Sequence, residues 1–215
     1  TMPVKDLILG LNPPVSEALQ GLANGLIYRD FIAVGVLLDK MNVDSSGVEN
    51  KNLVPDNWIY IQESDVQVGR IQVFNNWSPY MVADPEKVWL GLEYFCNEGD
   101  ELWGLSDADL LELGINELVK IGLAQKEDFI DGVVVRMPKT YPAYFGSYDQ
   151  FHLIRDYTDK IENLFLIGRN GMHKYNNQDH SMLTAMTAVD NIVAGISSRE
   201  SIWAVNTEEE YHEEN

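Results

Sequence analysis

Positive charge is scarce in this chain: 15 of 215 residues are Lys or Arg against 34 Asp or Glu, a formal net charge of −19 at pH 7. A surface that acidic repels phosphate backbones and anionic headgroups, which argues against unaided binding to nucleic acid or to a membrane surface. Cysteine is nearly absent. Cys96 stands alone and cannot form an internal disulfide, which suits a reducing compartment, so a cytoplasmic location is expected. No run approaches the roughly 20 apolar residues that span a bilayer. The opening Thr1-Met2-Pro3-Val4-Lys5-Asp6 has neither the basic stretch nor the apolar core of a secretory signal.

Several chemical signatures are missing as well. Among the 16 glycines there is no Gly-x-Gly-x-x-Gly and no Gly-x-x-x-x-Gly-Lys-Ser/Thr, so the chain by itself lacks the usual cradle for a dinucleotide. There is no Gly-x-Ser-x-Gly elbow to expose a nucleophilic serine. His152, His173, His180 and His212 stand in no His-Glu-x-x-His pattern, and with one cysteine no Cys-x-x-Cys exists, so no metal is expected. Cys96 closes an aromatic-rich run and reads as a small buried hydrophobe. No catalytic residue can be assigned from these patterns.

What is present is a globular composition, 45% apolar and 23% charged. Residues 4–9 and 16–24 read as short helices separated by Pro13-Pro14, with Ser16 as N-cap. Phe31–Leu38 is a buried strand, and residues 42–56 a polar loop or hairpin tip. Trp58–Gln62, Arg70–Asn75 and Val88–Cys96 follow as strands close enough for an antiparallel sheet. Ser106-Asp107-Ala108-Asp109 resembles a capping box opening a helix to Gly122, with Leu105 and Leu110 as its staple. Further on come a strand at Phe129–Met137, a Tyr/Pro-rich stretch at Lys139–Tyr148 and a helix near Tyr148–Ile161. Aromatics at Trp58, Tyr60, Trp77, Tyr80, Trp89, Tyr94 and Trp103 serve core packing or line a pocket.

The expected fold is α+β: a mixed or largely antiparallel sheet with flanking helices, plus a C-terminal β-loop-α piece. That piece, Asn163 to Gly195, is the most informative stretch. Asn163–Ile167 reads as a buried strand ending at Gly168, where open α/β sheets bind ligands. A polar loop from Arg169 to Gln178 follows, and Asp179 opens a helix with Met182, Met186, Val189 and Val193 on one face. Gly195 stands where that helix should stop. Amides at Gln178–Ser181 suit an electron-rich oxygen. Asp179 either accepts from ligand hydroxyls or merely caps the helix. The acidic tail, with Glu208, Glu209, Glu210, Glu213 and Glu214, reads as solvated.

The block Asn163-Leu164-Phe165-Leu166-Ile167-Gly168-Arg169-Asn170-Gly171-Met172, continuing through Asn177-Gln178-Asp179-His180-Ser181-Met182 to Ala188-Val189-Asp190-Asn191-Ile192, resembles the C-terminal flavin-binding segment of the FAD-dependent amine oxidase superfamily. That group includes protoporphyrinogen oxidase-like proteins and UDP-galactopyranose mutases. Val133–Tyr144 resembles the strand and Tyr-Pro segment preceding it there, and Thr1-Met2-Pro3-Val4 the exit from the first part of such a FAD domain. The resemblance implies a substrate-binding domain over residues 1–160 (FAD-domain exit at 1–5), a FAD-contacting segment at 161–206 and an acidic tail at 207–215. It implies FAD as cofactor in the full-length protein, contacted by Gly168, Arg169, Asn177, Gln178, Asp179, His180 and Ser181. Arg136, Tyr141 and Tyr144 fall on the substrate side. The dinucleotide motif would lie in a missing N-terminal half, leaving this chain inactive alone and unable to retain FAD.

The implied activity is oxidoreduction, with hydride passing from a small-molecule substrate to the flavin. A flavin-dependent sugar isomerase of the mutase kind is the alternative, although only six arginines are available for a nucleotide diphosphate. A non-catalytic ligand-binding module is a further alternative. An exposed edge at Leu164–Ile167 would favour a homodimer of the fragment.

Overall fold

The computed structural model describes residues 2–43 and 53–205. Most of the expected tip at 42–56 and the acidic tail at 207–215 lie outside the described residues. The chain divides into two compact units, Asp30–Pro138 and Thr1–Arg29 with Lys139–Asn215. The division at residue 160 suggested by resemblance is one of role.

The first unit is built on a five-stranded sheet of order β2-β3-β4-β1-β5. Its strands are β1 (Tyr28–Leu38), β2 (Trp58–Tyr60), β3 (Arg70–Val73), β4 (Val88–Cys96) and β5 (Phe129–Pro142). β1 pairs with β4, β4 with β3 and β3 with β2, all antiparallel. The register Ile32↔Tyr94, Val34↔Leu92 and Val36↔Leu90 puts these residues on one face, where all are fully buried. Alternation at period two is what makes that face continuous.

Between β3 and β4 lies the one-turn helix α3 (Phe74–Trp77), so the expected strand Arg70–Asn75 stops at Val73. The reason is local: Asn75 accepts from Trp89 N–H (3.0 Å) and donates to Lys87 O (2.7 Å), bending the chain over β4.

Helix α4 (Asp107–Lys120) covers the buried face. Ser106 accepts from Asp109 N–H (3.1 Å) and donates to the Asp109 carboxylate (2.6 Å), a reciprocal cap. Gly114 allows close approach, since a Cβ there would lie 3.2 Å from Leu92 and 3.3 Å from Val34. Glu117, on the same helix, is buried against the sheet.

The second unit is mainly helical. It contains α1 (Val4–Gly10), α2 (Glu17–Asn24), α5 (Phe151–Thr158), α6 (Gly168–Gly171), α7 (Gln178–Ala194) and α8 (Glu200–Trp203). Ser16 caps α2 through Leu19 N–H, as expected. Val4, Ile8, Ala23, Leu26, Ile154 and Met172 form its core. Among the described residues no helix is long and apolar enough to cross a membrane.

One expectation fails in this unit. Residues 164–167 belong to no strand. Arg199 braces the turn leading into them, donating to Glu162 O (2.7 Å), Ile161 O and Leu164 O (both 3.4 Å), with its guanidinium 3.8 Å above the Phe165 ring. Helix α7 carries its four expected apolar residues on one face, and that face is open. Its buried residues are Thr184, Ala188 and Asn191, whereas Met182, Met186, Val189 and Val193 are 59%, 60%, 57% and 83% exposed. The small polar face is the one that packs, because Thr184 Oγ1 accepts from Gly168 N–H (3.1 Å) and Asn191 Nδ2 donates to Ser201 Oγ (2.8 Å).

Candidate functional site

In the helical unit the expected cofactor residues gather around a turn that only glycine readily makes. Gly168 has φ +71° and opens α6, so the expected polar loop begins as a helical turn. Arg169 folds back over the loop, donating through Nε (2.8 Å) and Nη2 (2.6 Å) to Asn176 O. Its guanidinium lies beside two rings, 5.4 Å from Tyr141 and 4.6 Å from Tyr175, which stack on one another at 5.8 Å and 19°. Arginine held this way keeps its charge beside aromatic faces, an arrangement suited to orienting an anion next to a ring. Tyr144 accepts a short hydrogen bond from Tyr175 N–H, and burial pushes its hydroxyl pKa up.

Helix α7 starts at Gln178 with Asn177 as N-cap, one residue before the expected Asp179, and the Asn177 side chain makes no capping bond. The hydrogen-bond ladder opens with Ser181 N–H to Asn177 O (3.1 Å). The amides of Gln178, Asp179 and His180 therefore precede it, the position at which any helix offers donors to another acceptor. Gln178 and Asp179 are exposed, and the Asp179 carboxylate lies 3.2 Å from His180 Nδ1. Ser181 Oγ donates to Asn176 Oδ1 (2.8 Å). Asn176 Nδ2 and Asn170 Oδ1 are buried without a hydrogen-bond partner. Such groups are uncommon in folded chains, each costing about 1–3 kcal/mol unless something pairs it.

Arg136 belongs to the sheet unit, and its guanidinium is occupied there. It donates to Trp103 O (3.3 Å), Leu105 O (2.5 Å) and the Asp107 carboxylate (2.6 Å), which ties β5 to the start of α4. Of the residues expected on the substrate side, Tyr141 and Tyr144 thus join the Arg169 cluster, and Arg136 acts as a clamp within its own unit.

The aromatics of the sheet divide by register. Tyr94 points into the core and donates to Glu117 (2.9 Å), and burial drives its pKa far up. Trp58 lies on the opposite face, with Arg70 stacked at 4.3 Å, and Trp77 meets Trp58 edge-on at 5.5 Å. Arg70 pairs with Glu93 at 2.5 Å, and Gln72 donates to the same carboxylate at 2.6 Å. Glu93 is only 2% exposed, so this pair fixes a charged centre on an otherwise aromatic and glycine-lined face. Sequence reasoning passed over it, although a lone acid inside Val88-Trp89-Leu90-Gly91-Leu92-Glu93-Tyr94 was the available signal.

His173 was also missed as a distinct feature. It is fully buried with φ +46°, its Nε2 donating to Ala143 O at 3.1 Å, and it packs edge-on against Tyr28 at 4.7 Å. Burial lowers its pKa from the ordinary 6.5 to about 4, which keeps the ring neutral.

The fold defined by these elements recurs in two kinds of solved protein, a mutase and an oxidase. The chain superposes on reduced UDP-galactopyranose mutase with a TM-score of 0.76 at 20% identity, covering 96% of this chain and 42% of that one. A protein assigned as protoporphyrinogen oxidase from Exiguobacterium sp. 255-15 matches with a TM-score of 0.61 at 14% identity, covering 90% of this chain and 40% of that one. The chain thus spans about two-fifths of the length of each. No protein-family model and no curated protein sequence matches it. At such identities the likeness establishes the fold: the α+β architecture expected from sequence is the one these proteins share.

Proposed function

We propose that this chain is the substrate-binding and C-terminal flavin-contacting part of an FAD-dependent oxidoreductase. In the full-length protein a hydride would pass from substrate to the flavin. The observation that carries the proposal is the cluster at the front of α7: first-turn amides that precede the helical ladder, on residues of which Gln178 and Asp179 are exposed, near a buried, unpaired Asn176 Nδ2 and after a left-handed Gly168. These groups fit a flavin, which presents carbonyl acceptors at one edge and hydroxyls along its ribityl chain. When bound, FAD supplies the hydride acceptor.

On this reading the chain's own residues bind and orient. Amides at Gln178, Asp179 and His180 donate to the electron-rich edge, where the positive end of α7 is worth roughly 0.3–1 kcal/mol. The Asp179 carboxylate accepts from ribityl hydroxyls, and Gly168 lets the backbone come close. Arg169, held by Asn176 O, keeps a fixed positive charge beside Tyr141 and Tyr175, able to orient an anionic group of a small-molecule substrate. On this reading the flavin contacts fall within residues 161–206 and the substrate-binding domain spans residues 1–160, with Arg169 facing both.

The apolar stripe of α7 supports a further part of the reading: Met182, Met186, Val189 and Val193 pack on polypeptide of the same protein beyond this chain, which also holds the dinucleotide half. FAD retention and turnover are accordingly properties of the whole protein. The decisive experiment is purification of the full-length protein, release of its cofactor by denaturation and measurement of FAD per chain. Flavin is expected, and Asp179→Ala should weaken its binding about tenfold, in line with one lost hydrogen bond to a charged acceptor. A preparation that stays colourless after FAD is added defeats the proposal.

A second reading, a flavin-dependent mutase acting on a sugar nucleotide, is favoured by the arginine held beside two stacked tyrosines and by the 0.76 TM-score to reduced UDP-galactopyranose mutase. Turnover of a UDP-sugar by reduced but not by oxidised full-length enzyme would select it.

A further inference from the structure

A separate cleft lies in the helical unit, on the α5 side, with a volume of about 700 Å³. That size takes a drug-sized molecule. One wall is aromatic, formed by Tyr144, Tyr148, Phe151 and Trp203. The rings are mutually braced: Tyr148 stacks on Phe151 at 5.7 Å and 20°, Tyr144 lies 4.9 Å from Tyr148, and Phe151 meets Trp203 edge-on at 6.2 Å. A wall of flat rings fixed by one another is a preformed surface for another flat ring.

The rest of the lining is Met172, His152 and three charged side chains, two of them of the sign this protein has little of: Arg155 and Lys174 face a single carboxylate, Asp149, in a chain carrying 15 Lys and Arg against 34 Asp and Glu. Arg155 is set in place from two sides. Its guanidinium lies 4.8 Å above the Trp203 ring, and its Nε meets the Asp159 carboxylate at 3.5 Å. Asp159 also accepts from Trp203 Nε1 at 3.4 Å, so one acid anchors both the stacked cation and the ring beneath it. A guanidinium stacked in this way directs its remaining N–H groups in the plane of the fork, the geometry that receives a carboxylate or a phosphate.

We infer that this cleft is a binding site for a planar aromatic anion, a flat ring lying on the Tyr148–Phe151 wall with its carboxylate or phosphate arm at Arg155 and Lys174. The inference does not depend on flavin binding, because Tyr148, Phe151, Arg155 and Lys174 are none of the groups assigned to contact the flavin; Tyr144 alone is shared with the Arg169 cluster. Calorimetric titration with three naphthalene probes of equal ring and different charge separates ring burial from charge recognition. Naphthoate is expected to bind about tenfold more tightly than naphthylmethanol and more tightly still than naphthylmethylammonium.

Arg155→Gln and Lys174→Gln should each weaken naphthoate about tenfold and leave the alcohol unchanged, Asp149→Asn should strengthen naphthoate, and Tyr148→Ala should weaken all three probes. Asp149 is exposed and Lys174 is not buried, so their variants keep the test valid if the Arg155 or Tyr148 variant fails to fold. Equal binding of the three probes, absence of naphthoate binding, or naphthoate binding indifferent to Lys174→Gln and Asp149→Asn overturns the assignment.

Discussion

Replacing Glu117 with alanine should cost about 3–5 kcal/mol of stability in the sheet unit, the largest single effect expected in this protein. The carboxylate is 6% exposed and accepts three hydrogen bonds: from Gln67 N–H (2.6 Å), Val68 N–H (3.0 Å) and the Tyr94 hydroxyl (2.9 Å). Hydrogen bonds to a charged group contribute about 1.5–3 kcal/mol each, and deletion leaves the buried Val68 amide and Tyr94 hydroxyl unpaired. Glu117→Gln should lose less, because one amide oxygen still accepts while its NH2 faces a donor. Urea unfolding followed at constant m gives the free-energy change, and amide exchange at Gln67 and Val68 should accelerate in both variants. A loss below about 1 kcal/mol for the alanine variant would show that water replaces the carboxylate and that the clamp contributes little.

Acid should destabilise the helical unit through one ring, that of His173. Its pKa lies at about 4 in the fold against 6.5 ordinarily, because burial disfavours the charged form more than the Ala143 carbonyl restores it. The sign follows from proton counts. Between pH 6.5 and 4 the unfolded chain holds a proton on this ring that the folded chain does not, so stability falls as pH falls through that window and levels off below it. The depression corresponds to about 3 kcal/mol across the window. His173→Asn removes the ionisable ring while tolerating the left-handed backbone at that position. The variant should be less stable near neutrality and should show a shallower decline between pH 6.5 and 4. Parallel pH profiles for the two proteins would mean that His173 is solvated or protonated at no cost. The comparison with the variant isolates this ring from the chain's other ionisable groups.

Much of the fold was legible in the residues, and the reason is periodicity. β4 runs Val88–Cys96 in the structure as in the sequence, because every second residue is apolar and the run is bounded by turns. Ser16 and Ser106 cap the helices they were expected to cap, since capping is decided within a few residues. The errors arose where distant groups decide. Leu164–Ile167 has the composition of a buried strand, but Arg199, far along the chain, holds Leu164 O and the carbonyls of the turn before it. On α7, spacing shows which residues share a face but not which face packs, and hydrogen bonds at Thr184 and Asn191 decide that. The candidate cofactor segment was legible as a glycine turn followed by a helix front. The Arg70–Glu93 pair, the neutral His173 and the aromatic cleft were not, because each assembles groups from separate segments that no local spacing connects.

The outward side of α7 also equips the protein with its own chemical reporter. Thioethers at Met182 and Met186, more than half open to solvent here, convert to sulfoxides readily when peroxide can reach them and slowly when it cannot. Their oxidation rates, read by mass spectrometry, therefore record whether that surface is wet or covered in any preparation, without a label or a substitution.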